Sequence, residues 1–298
     1  MSSASWQPEK LLSPFQLARA LGVGESTVKR WIDQGRIPAR RTAGGHRRIS
    51  FEQAIAFIRG HRLTVSDPGA LDLSADQPTP DALAALLRSP SPETAVPWIE
   101  RLYASGMDAA ELADGWLAPA MSAVGHCWEA GELAVTDEHA ATLQVSRALH
   151  AVLRLHLPAP DQPLAFVAAL AGDPYVVPSL CAELVLREAG FRVRSFGPNT
   201  PADDLAQAIG RASPRLLALS FSLAEGTQAT LRQRAALRDA ARAAGAAVVV
   251  GGRGASEALV DSLGAAAWCR TMRELARLAH HVAGTPLAKP GGRRRRAP

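Results

Sequence analysis

Five short apolar runs punctuate the second half of the chain: "LAFVAAL" from Leu164, "RVRSFG" from Arg192, "RLLALSFS" from Arg215, "AAVVVGG" from Ala246 and "AAAWC" from Ala265. Each suits a strand, and helix-length patterns follow them at 178–189, 202–212, 226–244, 254–263 and 272–283. Near-continuous apolar runs read as buried strands, and a helical crossover is what joins parallel neighbours. The alternation therefore predicts a doubly wound, five-stranded parallel sheet of the flavodoxin-like kind. In such sheets ligands bind beyond the carboxyl ends of the strands. The first of those ends is "AGDPYVVPSL", residues 171–180, which brings Asp173, Pro174, Tyr175 and Pro178 to the mouth. Gly251-Gly252, after the fourth run, needs little side-chain volume and lets a flat ligand or a phosphate approach the backbone. The fold alone assigns no function.

The first sixty residues have a different rhythm, helix, turn, helix, hairpin, helix, carried by "LSPFQLARALGVGESTVKRWIDQGRIPARRTAGGHRRISFEQAIAFIRG". Ser13-Pro14 reads as an N-cap with proline at the first helical position. Phe15, Ala18 and Leu21 recur at helical spacing, "GVG" makes a tight turn, and Ser26 can cap the next helix. Val28, Trp31 and Ile32 face inward there, which leaves Thr27, Lys29 and Arg30 outward near the N-terminus of a recognition helix. Gly35 stops that helix, and "RIPARRTAGGHRRIS" offers two short arms around Gly44-Gly45, a hairpin signal.

Charge is distributed unevenly. Residues 1–62 hold 11 Lys and Arg against 4 acids, residues 63–284 hold 17 against 24, and the last fourteen residues hold five against none. Two basic ends thus flank an acidic body, and only the ends suit a polyanion. From Arg36 to Arg48 there are five arginines, one histidine and no acid. A hairpin wing gripping phosphates beside a helix in the major groove accounts for both the glycines and the charge. Arg40, Arg41, His46, Arg47 and Arg48 join Thr27, Lys29 and Arg30 as the expected contacts to double-stranded operator DNA. The segment "VKRWIDQGRIPARRTAGGHRRI" closely resembles the winged helix-turn-helix of the MerR family, whose members work as dimers or higher oligomers. The tail "GGRRRR" would add non-specific affinity for nucleic acid or serve as a solubilising end.

"HRLTVSDPGALDLSADQPTP", residues 61–80, is rich in Ser, Asp, Pro and Gly without clear period and reads as a flexible tether. Helical patterns follow at 81–88, 93–104, 109–129 and 135–156, for which a four-helix bundle is the economical fold. The expected division is thus a DNA-binding head at 1–62, a linker at 63–80, a helical cap at 81–158, an α/β domain at 159–285 and a basic tail at 286–298.

Within the cap stands "VGHCWEAGELAVTDEHAATLQVSRALH". Taken singly, Trp128 reads as a core residue, and Glu138-His139 as a first helical turn capped by Thr136 or Asp137. Together they resemble the caps of CarH/LitR-type regulators, light-sensing repressors that use adenosylcobalamin. Those caps carry a tryptophan, nine intervening residues and then Glu-His, placed over the upper face of the corrin. That family has a histidine directly after the tryptophan, which ligates cobalt after illumination; here the position is Glu129. No bis-histidine photoproduct is therefore expected.

The loops of the α/β half resemble the cobalamin-binding domains of methionine synthase, the mutases and the same regulators. Their pattern is Asp-x-His-x-x-Gly, a spaced Ser-x-(Leu/Thr), then Gly-Gly. Asp173, Tyr175 and Pro178 occupy the first element, Ser220 and Ser222 the second, and Gly251-Gly252 the third. The resemblance implies a histidine binding cobalt from below, oriented by the aspartate in the manner common at metal sites. Here Tyr175 stands in its place, and a phenol, with an ordinary pKa near ~10, ligates cobalt poorly unless deprotonated. Proline at 178 also removes a backbone N–H.

Three readings follow for this tetrapyrrole-type site. Cobalamin binds with its own base or water below; a bilin such as biliverdin, or haem, replaces it; or no ligand binds and the domain serves assembly. For a bilin or haem, His126, Cys127 or His139 could anchor the ligand. Cobalamin enzymes attach this module to a separate catalytic domain for which 298 residues leave no room, and no H-E-x-x-H or P-loop pattern occurs. No turnover and no confident metal site are expected. With three scattered cysteines, no signal-peptide pattern and no apolar run of membrane-spanning length, a cytoplasmic, oligomeric regulator is the expectation.

Overall fold

The computed structural model describes residues 11–61, 63–71, 79–89, 95–156, 159, 161–223 and 228–284. Two compact units divide them, Met1–Ala159 with Val176–Leu184 in one, and Pro160–Tyr175 with Val185–Pro298 in the other. The chain is multidomain, α in its first part and α/β in its second.

In the first unit, α1 (Pro14–Leu21) begins where the Ser13 hydroxyl accepts the Gln16 amide at 3.2 Å, and the Gln16 side chain answers to the Ser13 N–H. This reciprocal cap satisfies two otherwise unpaired donors. Pro14, Leu17, Ala18, Ala20 and Leu21 form its inner face, while Phe15 is 58% exposed. α2 (Glu25–Asp33) is capped by Gly24 without a side-chain bond, so Ser26 lies inside the helix rather than capping it. Val28 is fully buried, Trp31 and Ile32 partly so, and Trp31 packs on Phe57 with ring centroids 5.1 Å apart.

Strands β1 (Leu11–Leu12), β2 (Arg40–Arg41) and β3 (Arg47–Ser50) form a small antiparallel sheet in the order β1-β3-β2. The β2–β3 hairpin turns at Gly45, whose φ of +76° belongs to the left-handed region that glycine adopts without strain. A second reciprocal cap, Ser50 with Gln53, opens α3 (Phe51–Gly60). The stretch expected as a tether starts as part of the head: Ser66 and Asp67 N–H donate to Ala20 O, Asp67 pairs with Arg19 at 2.7 Å, and Leu71 is buried.

The cap comprises α4 (Pro80–Leu87), α5 (Ala95–Ala104), a compound helix and α8 (Val135–Leu153). The compound helix runs as α6 (Ala109–Glu111), a π-helical stretch (Leu112–Leu117) and α7 (Ala118–Glu129). Helices α5 and α8 pack together, as do α4 and α7, around Leu83, Ile99, Tyr103, Leu117, Val124, Val145 and Leu149. The four helical segments fall within a few residues of their expected bounds, giving the four-helix bundle.

The parallel sheet contains β4 (Leu164–Ala169), β5 (Arg192–Ser195), β6 (Leu216–Ser220), β7 (Ala247–Gly251) and β8 (Ala267–Cys269), in the order β5-β4-β6-β7-β8. Helices α9 (Val177–Glu188), α10 (Ala202–Ala212), α11 (Leu231–Ala244), α12 (Glu257–Leu263) and α13 (Met272–Gly284) alternate with them. This is the flavodoxin-like winding, and its order reverses between β4 and β6. Phe166, Leu217, Leu219, Phe221, Val248 and Val250 form the core with Ile209, Leu237 and Leu263. Not every strand is buried as expected. β5 is an edge, and Arg192, Arg194 and Ser195 on it are exposed, a polar edge that resists pairing with another chain. Helix α11 begins at Leu231, behind a Thr230–Gln233 reciprocal cap, later than the pattern suggested.

Candidate functional site

Two sets of residues matter in the head. Lys29 and Arg30 are exposed on α2, Thr27 is partly exposed, and Lys29 pairs with Glu25 one turn earlier at 2.9 Å. Such exposed pairs are weak and yield readily to a phosphate. On the wing, Arg40, Arg41 and His46 are exposed and Arg48 is half-buried. The ladder sets Arg40 opposite Arg48 and Arg41 opposite Arg47. Like charges directly across a ladder repel, so this hairpin carries a built-in demand for anions.

One acid already answers that demand. Arg47 Nη2 donates to Asp33 Oδ1 at 2.6 Å, joining the wing to the last residue of α2. Its side chain is only 24% exposed and its Nε is buried. Arg47 is thus folded inward, whereas sequence reasoning counted it among the outward phosphate contacts. Nothing in local sequence pattern pairs residues 33 and 47.

In the cap, Trp128 is 47% exposed, which excludes a core role. Gly131, at φ +74°, breaks α7 from α8, and Glu132 and Leu133 N–H donate back to Cys127 O. Helix α8 starts from Ala134 with no side-chain cap, so Thr136 and Asp137 lie within its first turn instead of capping it. Val135, His139 and Leu143 recur every four residues along α8 and are all exposed, forming an apolar stripe with an imidazole in its middle. Glu138 lies beside it and accepts the Thr142 hydroxyl at 3.0 Å. The stripe and Trp128 leave apolar side chains bare on a bundle whose core is otherwise filled.

His126 is exposed, and Cys127 is partly exposed with its Sγ accepting Arg88 Nη1 at 3.0 Å. The other thiols have no such setting. Burial, aided by the Asp114 carboxylate, pushes Cys181 up to about 12, and burial with Glu274 pushes Cys269 up to about 11.

At the sheet's mouth, Asp173 is fully buried. Its Oδ2 accepts the Ser222 N–H at 2.6 Å and its Oδ1 the Tyr175 N–H at 3.1 Å, while its carbonyl accepts the Asn199 N–H at 3.0 Å. One carboxylate therefore ties the loop after β4 to the loop after β6. Tyr175 is 48% exposed. Ser220 and Ser222 have buried hydroxyls without a hydrogen-bond partner, a costly state that a ligand's polar atoms would relieve. Gly251 ends β7, and Gly252 takes φ +100° where a Cβ would lie 2.1 Å from Phe221 O. Gly252 is therefore required by the protein's own backbone packing. Among the described residues no cluster of three or more His, Cys, Asp or Glu could hold a metal ion.

With this geometry in place, residues 11–62 match the helix-turn-helix domain family and residues 81–153 match the B12 binding domain family. The chain is 29% identical over 273 residues to the HTH-type transcriptional repressor CarA of Myxococcus xanthus, covering 84% of this chain and 90% of that one. To the HTH-type transcriptional repressor CarH of the same organism it is 33% identical over 107 residues, 36% of each chain. The monomethylamine corrinoid protein of Methanosarcina barkeri shares the fold, with a TM-score of 0.55 at 19% identity over 67% of this chain and 96% of that structure. Among the described residues no helix is long and apolar enough to cross a membrane.

Proposed function

We propose that the chain is a transcriptional repressor whose grip on operator DNA is set by a corrinoid held in its B12-binding half. The observation that carries the reading is the bare Trp128 and the Val135–His139–Leu143 stripe, in a chain that also presents a basic wing and α2. Thr27, Lys29, Arg30, Arg40, Arg41, His46 and Arg48 bind the operator, and Trp128, Glu138 and His139 meet the ligand. Ser220 and Ser222 supply hydrogen bonds to the ligand's polar rim, and their orphaned hydroxyls fit that role. The corrinoid brings a light-labile organometallic bond when it carries an adenosyl group. This chain's residues bind it, exclude water from it and couple its state to assembly. One winged head makes few phosphate contacts and binds weakly at physiological salt, so dimers or tetramers that engage several heads set repression.

The test is a dark incubation of the full chain with adenosylcobalamin, followed by gel filtration, an absorption spectrum and operator titration before and after illumination. Retained corrinoid bands with a change of operator affinity on illumination support the reading. No retained corrinoid refutes it. A bilin is the second reading, favoured by the Arg88 contact to Cys127 Sγ. It would appear as a red or far-red band, and as an added mass that Cys127→Ala abolishes. A Soret band would instead report haem.

A further inference from the structure

We infer that the mouth of the sheet seats a corrinoid without ligating its cobalt, so that the cofactor keeps its own dimethylbenzimidazole base on the metal. The inference rests on the corrinoid reading above. It starts from the donors present at the mouth. Both Asp173 carboxylate oxygens already hold backbone amides, at 2.6 and 3.1 Å, so this buried acid is spent on closing the loops. Tyr175 presents a phenol, a weak ligand for cobalt compared with an imidazole. No histidine occurs between His156 and His280, and His280 and His281 belong to the last helix, α13. Cys269, at the end of β8, is buried, and its raised pKa keeps it a thiol.

The glycines beside β6 and β7 are packed against the chain itself, which narrows the room for a displaced base. A cobalamin that gives up its base must put that base and its nucleotide arm somewhere, and the gaps between strand ends are the natural slots. Here Phe221 N–H donates to Gly251 O at 2.9 Å and Gly254 N–H to Phe221 O at 2.8 Å, which joins the ends of β6 and β7. A Cβ at Gly254 would lie 1.7 Å from Leu223 O, as one at Gly252 would crowd Phe221 O. On the other side of β6, Gln228 N–H donates to Ala171 O at 2.8 Å, and a Cβ at Gly172 would meet Gln228 Cγ at 2.7 Å. At Gly172, Gly252 and Gly254 the chain itself fills the space beside the glycine, whereas Gly197, after β5, has nothing within 4 Å of where a Cβ would lie. Among the described residues the hydroxyls of Ser179, Ser220 and Ser222 are buried without a hydrogen-bond partner, and hydroxyls of this kind suit the polar periphery of a ligand.

The experiment is electron paramagnetic resonance of the full chain loaded with cob(II)alamin, once with natural base and once with a base enriched in nitrogen-15. Expected is a nitrogen splitting of the cobalt lines that changes from triplets to doublets with the label. Splitting that stays triplet would mean a protein nitrogen on cobalt, and splitting that vanishes would mean a displaced base. Either overturns the inference while leaving corrinoid binding intact. A chain that takes up no corrinoid overturns the parent reading and this one with it. As a second readout, Ser220→Ala with Ser222→Ala should weaken corrinoid retention about tenfold and leave the label-dependent splitting unchanged; loss of the splitting in that variant would also count against the inference.

Discussion

Replacing Arg47 separates two roles that the wing's charge alone does not distinguish. An arginine that grips a phosphate contributes a released counterion, so its loss lowers the slope of log affinity against log salt by about 0.9. An arginine that braces the wing contributes geometry, so its loss weakens binding and leaves the slope alone. The second class is the one expected of Arg47, whose guanidinium is 2.6 Å from Asp33 Oδ1 and whose side chain is only 24% exposed. At an effective dielectric of about 20, unit charges some 4 Å apart attract by roughly 4 kcal/mol before desolvation and screening. Asp33 is 54% exposed, so most of that is screened, and a net 0.5–1 kcal/mol is the realistic order. Arg41 adds to the brace's importance, because without Asp33 it would face Arg47 across the ladder uncompensated.

Operator affinity of Arg47→Ala should therefore fall about two- to fivefold, with an unchanged salt slope. Arg41→Ala, at an exposed position, should lose affinity and about 0.9 of slope. The assay is fluorescence anisotropy on a labelled operator across a salt series, with Asp33→Ala and the Asp33/Arg47 double variant completing a cycle. A brace predicts that the double variant binds no worse than Arg47→Ala. If Arg47→Ala loses as much slope as Arg41→Ala, or if Asp33→Ala binds tighter by freeing Arg47 for DNA, the bracing argument is wrong.

Three further outcomes are expected. Asp173→Ala should destabilise the chain by about 1–3 kcal/mol in urea unfolding, because it removes the partner of the Ser222 and Tyr175 amides; an unchanged midpoint would show that the loops do not depend on that carboxylate. Gly252→Ala should cost about 2–5 kcal/mol through its φ of +100° and the Phe221 carbonyl, whereas Gly210→Ala, in α10 with open space around it, should stabilise by about 0.5–1 kcal/mol; equal effects would contradict the packing at the mouth. At pH 8, a thiol raised to about 12 is ionised in on the order of one molecule in ten thousand, so iodoacetamide should label Cys127 in the folded chain and spare Cys181 until unfolding. Reactivity grows as pH climbs toward the raised pKa, and comparable labelling of both cysteines in the folded state would refute the burial argument.

The periodic elements were legible because each rests on local chemistry. Ser13-Pro14 starts α1, Gly45 turns the wing, and the apolar runs at 164–169 and 247–251 are strands with strand-like lengths. Most of what escaped depends on neighbours far along the chain. Ser26 looks like a cap until Gly24 takes the position, and the run from Arg192 looks buried until the topology puts it at an edge. Trp128 taken singly reads as core, and it is the resemblance, not its residue type, that points it outward, where it is 47% exposed. Arg47 reads as one more positive charge until the hairpin folds it onto Asp33.

The mouth of the sheet carries the same lesson further. Spacing locates Asp173, Ser220, Ser222 and Gly251-Gly252 at the strand ends but says nothing of what occupies the volume their small side chains leave. A glycine can be required because a ligand comes close or because the chain's own backbone does, and both demands look identical in sequence. At Gly252 and Gly254 the neighbour is backbone carbonyl, and at Gly172 it is Gln228. At Ser220 and Ser222 no protein group partners the buried hydroxyl, which leaves each open to a water or a ligand. The divergence of the loop around Tyr175 thus has a physical pattern: the groups that would hold a metal or admit a nucleotide arm are absent or internally satisfied, and those that would hydrogen-bond a ligand's rim are still open.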